Sequence, residues 1–175
     1  RIVGTYQASR ANSFAANFMP ILPSDTEFAT KWINLCNAHL ESGIRDPISV
    51  YEYLWKYYVA EGNKRVSVLK YFEASSFEAE ITRLVPQYDE NDPAIERYYT
   101  FLAYTKKGVF RDIELSESRK YERLYRIEQK LIAELDPAAD APDYNAILIR
   151  FETVYLNSNC TLSLGDAFLE YLHVY

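Results

Sequence analysis

Hydrophobic and polar residues follow a helical period early in the chain. Residues 1–23 begin with a short apolar stretch but predict no definite element. Ser24 and Glu27 have the spacing of a capping box, apolar residues then recur three or four positions apart, and Gly43 is a natural helix terminator. This pattern predicts a helix over about residues 25–42.

A period of two replaces the helical period after Asp46-Pro47. Alternation over residues 48–50 and the run 57–60 predict two strands, and the polar tract 61–64 between apolar segments predicts a turn. A short helix is expected to start near Arg65. Apolar and polar residues alternate again over 77–81, which predicts a strand with one face in water.

The helical period returns after about residue 90 and continues to the end of the chain. The pattern predicts a long helix over about 116–135 and only a weak strand over 109–115. Capping residues mark the starts of three further helices, at Asp92, Asp143 and Ser163. The sequence therefore predicts an α+β fold, in which a small mixed-sheet lobe, residues 1–88, precedes a helical lobe, residues 89–175.

Composition narrows the class of protein. Of the 175 residues, 49% are hydrophobic and 25% charged, which is typical of globular proteins, and no apolar run approaches the ~20 residues of a membrane-spanning helix. A net charge of −6 argues against a protein whose main task is to neutralise nucleic-acid phosphate. Cys36 and Cys160 lack metal-binding spacing and are expected to be reduced, and His39 and His173 are too isolated to suggest a metal site. We therefore expect a cytoplasmic protein without a membrane partner.

The tract 57–72 carries the clearest candidate chemistry, because it predicts a strand, a glycine turn and a helix in succession. The first amides of a helix lack internal acceptors, so such a turn suits an anion. Gly62 would let the backbone approach a phosphate, Asn63 and the adjacent amides would donate hydrogen bonds, and Lys64 and Arg65 would neutralise charge. Glu61, just ahead of the turn, is the nearest candidate for orienting a metal or a nucleophile.

Residues 24–85 resemble the ParB/sulfiredoxin superfamily. The likeness is carried by the predicted helix ending at Gly43, by the stretch Gly-Ile-Arg-Asp-Pro-Ile-Ser-Val at 43–50, and by the G-x-x-R box at 62–65. The resemblance implies a small mixed-sheet domain whose G-x-x-R turn holds the phosphates of a nucleotide, which is CTP in the partition proteins and ATP in sulfiredoxins and related free-serine kinases. ATP or CTP with Mg²⁺ is therefore the implied cofactor.

The chain also departs from that superfamily. The box lacks the reactive cysteine of sulfiredoxins, so sulfinic-acid reduction is not expected. Glu90-Asn91 lacks the in-register arginine of the second phosphate motif of partition proteins, and residues 92–175 show no clear helix-turn-helix.

The expected function is a nucleotide- or phosphate-binding regulatory module of a larger protein. Its helical lobe would pass ligand occupancy to a C-terminal domain beyond Tyr175 or to a protein partner. Three alternatives stay open: a small-molecule kinase or NTPase that uses the same turn, a ParB-like DNA-associated regulator, and a non-catalytic protein-interaction domain rich in tyrosine, of which there are 16. Whether the protein is an enzyme is left open, and nucleic acid is not the favoured partner of this chain.

Overall fold

The computed structural model describes residues 2–74, 76–135 and 142–174. Within these ranges the chain forms seven helices and one four-stranded mixed sheet, which confirms the predicted α+β class. The chain divides into two compact units, Arg1–Pro86 and Gln87–Tyr175. The division falls two residues before the boundary predicted from the sequence.

The first unit contains the whole sheet, in the order β1-β3-β2-β4. Strand β2 pairs antiparallel with β3, whereas β1 is parallel to β3 and β4 is parallel to β2. The β2–β3 hairpin confirms the two strands predicted between residues 48 and 60. The four strands are β1 Ile2–Thr5, β2 Ile48–Tyr53, β3 Lys56–Glu61 and β4 Ala79–Arg83.

A buried carboxylate fixes the hairpin and its neighbouring strand. Leu54 and Trp55 form the tight turn with φ of 48° and 61°, the left-handed region that type I′ hairpin turns require. Glu52 is buried, and its carboxylate accepts hydrogen bonds from the Trp55 amide at 2.7 Å and from Arg83 Nε at 2.6 Å. Charge-assisted bonds of this length hold β4 against the hairpin.

Three helices complete the first unit: α1 Ala8–Ala11, α2 Glu27–Ser42 and α3 Asn63–Tyr71. Helix α2 was predicted, but its cap is Thr26 rather than Ser24, because Thr26 Oγ1 accepts from the Ala29 amide. Helix α3 starts two residues before Arg65, since Gly62 takes the left-handed conformation and serves as the N-cap. A core of aliphatic and aromatic residues joins helix to sheet: Phe18, Ile48, Val50, Val59 and Val66.

The edges of the sheet differ from the sequence-based prediction. Strand β1 was not predicted, because its partner in the parallel ladder lies more than fifty residues away along the chain. Strand β4 begins two residues later than expected, and its first four residues are exposed on both faces rather than on one. It is an edge strand paired only with β2, so alternation in its sequence does not correspond to a buried face.

The second unit is helical. The caps predicted at Asp92, Asp143 and Ser163 are confirmed by hydrogen bonds from backbone amides to their side chains. The strand predicted over 109–115 is wrong: the segment is irregular, and the amides of Phe110 and Leu115 donate to the side chains of Glu128 and Tyr121 instead of to another strand. The helices are α4 Pro93–Thr105, α5 Ser118–Glu134, α6 Tyr144–Leu156 and α7 Leu164–Val174. Within the described ranges, none of the helices has the length and apolar character needed to cross a membrane.

Candidate functional site

The predicted glycine turn lies where β3 passes into α3. Gly62 has φ +94°, and the first bond of the helix runs from the Val66 amide to the Gly62 carbonyl at 2.9 Å. The amides of Asn63, Lys64 and Arg65 precede that bond and find no acceptor in the described part of the chain. Three adjacent donors at the positive end of a helix dipole form a site suited to an oxyanion.

These residues line a pocket of about 250 Å³. Its wall combines the end of β3 and the first turn of α3 with the chain around α1. It therefore brings together all five residues predicted as the site and adds others from the start of the chain. The lining residues are Gln7, Arg10, Phe14, Ala60, Glu61, Gly62, Asn63, Lys64 and Arg65.

Lys64 lies among aromatic and cationic neighbours. Its Nζ is 4.6 Å from the centroid of the Phe28 ring, at cation–π distance. Loss of water around the ammonium lowers the pKa of Lys64, and the nearby charges of Lys31 and Arg10 lower it further. The side chain is therefore placed where an anion would relieve repulsion between cations.

Arg65 makes structural contacts that the sequence did not predict. Its Nη1 donates to the main-chain carbonyls of Asp46 and Pro47, at 3.1 and 2.7 Å. These contacts tie the first turn of α3 to the segment that leads into β2. Nη1 thus bonds the backbone, whereas Arg65 still lines the pocket with its free amide and with the Nε and Nη2 donors of its guanidinium.

Asn63 is the buried polar residue of the pocket wall. Asn63 is only 6% exposed, and its Oδ1 atom is buried without a hydrogen-bond partner in the described chain. An unsatisfied buried acceptor costs about 1–3 kcal/mol, so such groups call for a ligand, an ion or a water molecule. The site retains unsatisfied hydrogen-bonding capacity both on its backbone and on this side chain.

Arg10 and Gln7 were not predicted as site residues. Parallel pairing of β1 with β3 continues into a bond from the Tyr6 amide to the Val59 carbonyl, and Gln7 Nε2 donates to the Ala60 carbonyl at 3.0 Å. These contacts place α1, and with it Arg10, beside the start of α3. The local sequence does not predict this arrangement, because the arrangement depends on pairing between segments that are distant along the chain.

Glu61 supplies the acidic side chain of the pocket and is exposed. Across the described ranges, His, Cys, Asp and Glu residues form no group of three or more that could hold a metal ion. Cys36 is buried and Cys160 exposed, and both are free thiols. His39 Nδ1 accepts a hydrogen bond from the Ile44 amide, which gives this histidine a structural contact.

The fold is α+β, and the pocket lies at the N-terminus of α3. Comparison of the chain with protein-family models, curated proteins and solved structures found no match. The resemblance to the ParB/sulfiredoxin superfamily therefore stays a prediction from the residues at 43–50 and 62–65.

Proposed function

We propose that the chain is a cytoplasmic nucleotide- or phosphate-binding regulatory module that holds its anion at the Gly62–Arg65 turn. One observation carries the proposal: the amides of Asn63, Lys64 and Arg65 have no acceptor in the described chain and belong to residues that line one pocket together with one further cationic residue, Arg10. Backbone donors and ammonium or guanidinium groups are the usual ligands of phosphate oxygens in proteins.

The size of the pocket indicates which part of a ligand it takes. A volume of about 250 Å³ lies below the range of roughly 300–1,000 Å³ typical of sites that enclose a whole small molecule. The pocket suits a phosphate group or the phosphate end of a nucleotide. The sugar and base of ATP or CTP would then extend outside it.

A regulatory role requires a receiver of the signal, which we place in a C-terminal domain or a separate partner protein reached through the helical unit. Helix α6 supports this part of the proposal, because it has no buried residue and exposes Ile149, Val154 and Leu156. Exposed aliphatic side chains on one helix are a common feature of surfaces that contact other proteins.

An enzymatic alternative is favoured by Glu61, whose carboxylate belongs to the lining of the same pocket. A carboxylate beside a bound phosphate could orient Mg²⁺ or a nucleophile in a kinase or NTPase. Turnover of labelled ATP or CTP separates this activity from simple binding.

A heat-denaturation panel tests binding directly. The full chain is scanned with inorganic phosphate, ATP and CTP, each with and without Mg²⁺. A ligand at a hundred times its dissociation constant adds ~2.7 kcal/mol to the free energy of unfolding, and a clear rise in Tm is expected for at least one member. Unchanged Tm across the panel would remove the proposal and leave a structural interaction domain.

A further inference from the structure

Two guanidinium groups belong to residues that line the pocket, and they differ in what they bind. Arg65 donates to the carbonyls of Asp46 and Pro47. The side chain of Arg10 makes no hydrogen bond or ion pair within the described residues, although Arg10 lines the same pocket. Arg10 can therefore turn all of its N–H donors to a ligand, whereas Arg65 keeps only those of Nε and Nη2 for this purpose.

The main chain around Arg10 is held in place even though its side chain is not. The Tyr6 amide bonds to the Val59 carbonyl, and the Gln7 carboxamide bonds to the Ala60 carbonyl. The segment is therefore fastened to β3 on the residues that immediately precede the Gly62 turn. Such a support lowers the backbone entropy that is lost on binding, so the remaining cost is that of ordering the Arg10 side chain.

The side chains around the pocket carry more positive than negative charge, which favours binding of an anion. Lys31 pairs with Glu27 at 2.5 Å, whereas Lys64 contacts the Phe28 ring rather than a carboxylate. Arg10, Lys64 and Arg65, whose acceptors are neutral carbonyls, thus bring three positive charges to a wall that holds one carboxylate, Glu61. A phosphate monoester, which carries close to two negative charges at neutral pH, matches that excess.

We infer that Arg10 supplies the main guanidinium contact to the phosphate end of the ligand, while Arg65 contributes its backbone amide and its positive charge and holds the turn in place. The inference rests on the proposed function of the Gly62–Arg65 turn. Asn63 adds a buried acceptor to the same wall, because its Oδ1 lacks a partner in the described chain and could accept a hydrogen bond from a hydroxyl of the phosphate or from a water molecule. The inference changes the role that the superfamily resemblance assigns to Arg65, and it adds a residue from outside the G-x-x-R box.

Calorimetric titration of the full chain with inorganic phosphate and with ATP tests the assignment. Arg10→Ala is expected to weaken binding of both by roughly tenfold or more, since a hydrogen bond to a charged group contributes about 1.5–3 kcal/mol. Arg10→Lys, which keeps the charge but loses the fork of donors, is expected to fall between Arg10→Ala and the parent protein. Both variants should keep the parental circular dichroism and Tm, because the Arg10 side chain makes no hydrogen bond or ion pair within the described residues.

Lys31→Ala is the charge-matched control, because it removes one positive charge near Lys64 from a residue that does not line the pocket. It is expected to weaken binding by no more than about threefold at physiological salt, where surface charges are screened. Arg65→Ala should lower Tm and should retain phosphate affinity within a few-fold once measured well below its Tm.

The outcomes distinguish the proposed anion site from the assignment of the guanidinium contact to Arg10. If the parent protein binds phosphate and Arg10→Ala binds within twofold of Lys31→Ala, the assignment to Arg10 is overturned while the anion site stands. If Arg65→Ala abolishes binding in a folded protein and Arg10→Ala does not, the guanidinium role returns to Arg65. If the parent binds neither probe, the anion site and the assignment to Arg10 both fail.

Discussion

Gly62 occupies a position that disfavours any side chain, for two reasons. Its φ of +94° lies in the region that favours glycine, and a Cβ there would come within 2.8 Å of Ile48 Cγ2 and 3.1 Å of Arg65 Nε. The residue therefore serves both the conformation of the turn and the close packing of the Arg65 side chain across it.

Gly62→Ala should consequently lower the free energy of unfolding by about 1–3 kcal/mol, through backbone strain and overpacking. Urea denaturation of the variant and the parent measures the difference. Gly4→Ala is the matched control, since Gly4 lies in β1 with no positive φ, and its added Cβ would meet only Tyr58 Cδ1 at an ordinary 3.8 Å. Equal stability of the two variants would contradict this account of Gly62.

Glu128 is the buried acid of the helical unit. The Tyr104 hydroxyl and the Phe110 amide donate to its Oε1, and its Oε2 has no hydrogen-bond partner among the described residues. Burial raises the pKa of Glu128 above its ordinary value, although the bonds from Tyr104 and Phe110 work in the opposite direction. Burial likewise raises the pKa of Tyr104, so both groups favour their neutral forms.

The raised pKa of Glu128 makes its contribution to stability larger at low pH than at high pH. The unfolded chain loses this proton at a lower pH than the folded protein, so the contribution of Glu128 is complete below the ordinary pKa. It is lost as the pH rises through the folded pKa, at up to ~1.4 kcal/mol per pH unit. Glu128→Gln should remove that loss from urea unfolding curves recorded between about pH 4 and 8.

Glu122→Gln on the same helix controls for simple loss of a charge, because Glu122 is exposed. It should keep the parental pH profile. Parallel profiles for the parent and Glu128→Gln would show that the buried carboxyl does not govern stability in this range.

The sequence predicted the structural roles of some single residues and not of others. The glycine of the turn is predictable, because glycine between a strand and a helix supplies a conformation that other residues avoid. The acceptors of Arg65 are not, because main-chain carbonyls carry no sequence signal. Glu128 looks like one more acid in a mixed-charge helix, and only its packing against Tyr104 distinguishes it.

At the scale of elements, the start of α7 shows packing that opposes helix propensity. A Cβ added at Gly165 would lie 2.0 Å from the carbonyl oxygen of Glu114. The helix therefore approaches the irregular segment at 113–115 so closely that only glycine fits. The same approach lets the Asp166 carboxylate accept from the Ser116 amide at 3.1 Å and from Lys120 Nζ at 2.9 Å.

Gly165→Ala provides a test in which two effects have opposite signs. Helix propensity alone would stabilise the protein by about 1 kcal/mol, whereas overpacking against Glu114 is expected to win and destabilise it by about 1–3 kcal/mol. Thr153→Ala, at an exposed position of α6, should show a propensity gain offset only by loss of the bond from its hydroxyl to the Ile149 carbonyl. Stabilisation by Gly165→Ala in thermal unfolding would mean that α7 does not approach the segment this closely.

Helices were more predictable than strands for a physical reason. The caps at Asp92 and Asp143 act within three residues, so the sequence contains the whole interaction. Strand β1 and the face of β4 depend on partners elsewhere in the chain. The segment 109–115 has apolar residues at strand-like positions, but side chains of α5 take the hydrogen bonds that a strand would need.

At the scale of the whole molecule, the α+β class and the division near residue 86 follow from the change of hydrophobic period along the chain. The assembly of the pocket does not, because it requires the parallel pairing that brings α1 to the end of β3. A pocket lined by three cationic side chains and one carboxylate, in a chain of net charge −6, is the feature on which the proposed function depends.

Amide NMR during titration of the full chain with inorganic phosphate tests that feature most directly. The ¹H and ¹⁵N resonances of Asn63, Lys64 and Arg65 should shift together and saturate with one dissociation constant, because their N–H groups would become hydrogen-bond donors to the anion. Amides further inside α3, such as those of Leu69 and Lys70, should move much less. Unshifted resonances for all three residues, or shifts no larger than those elsewhere on the chain, would contradict the account.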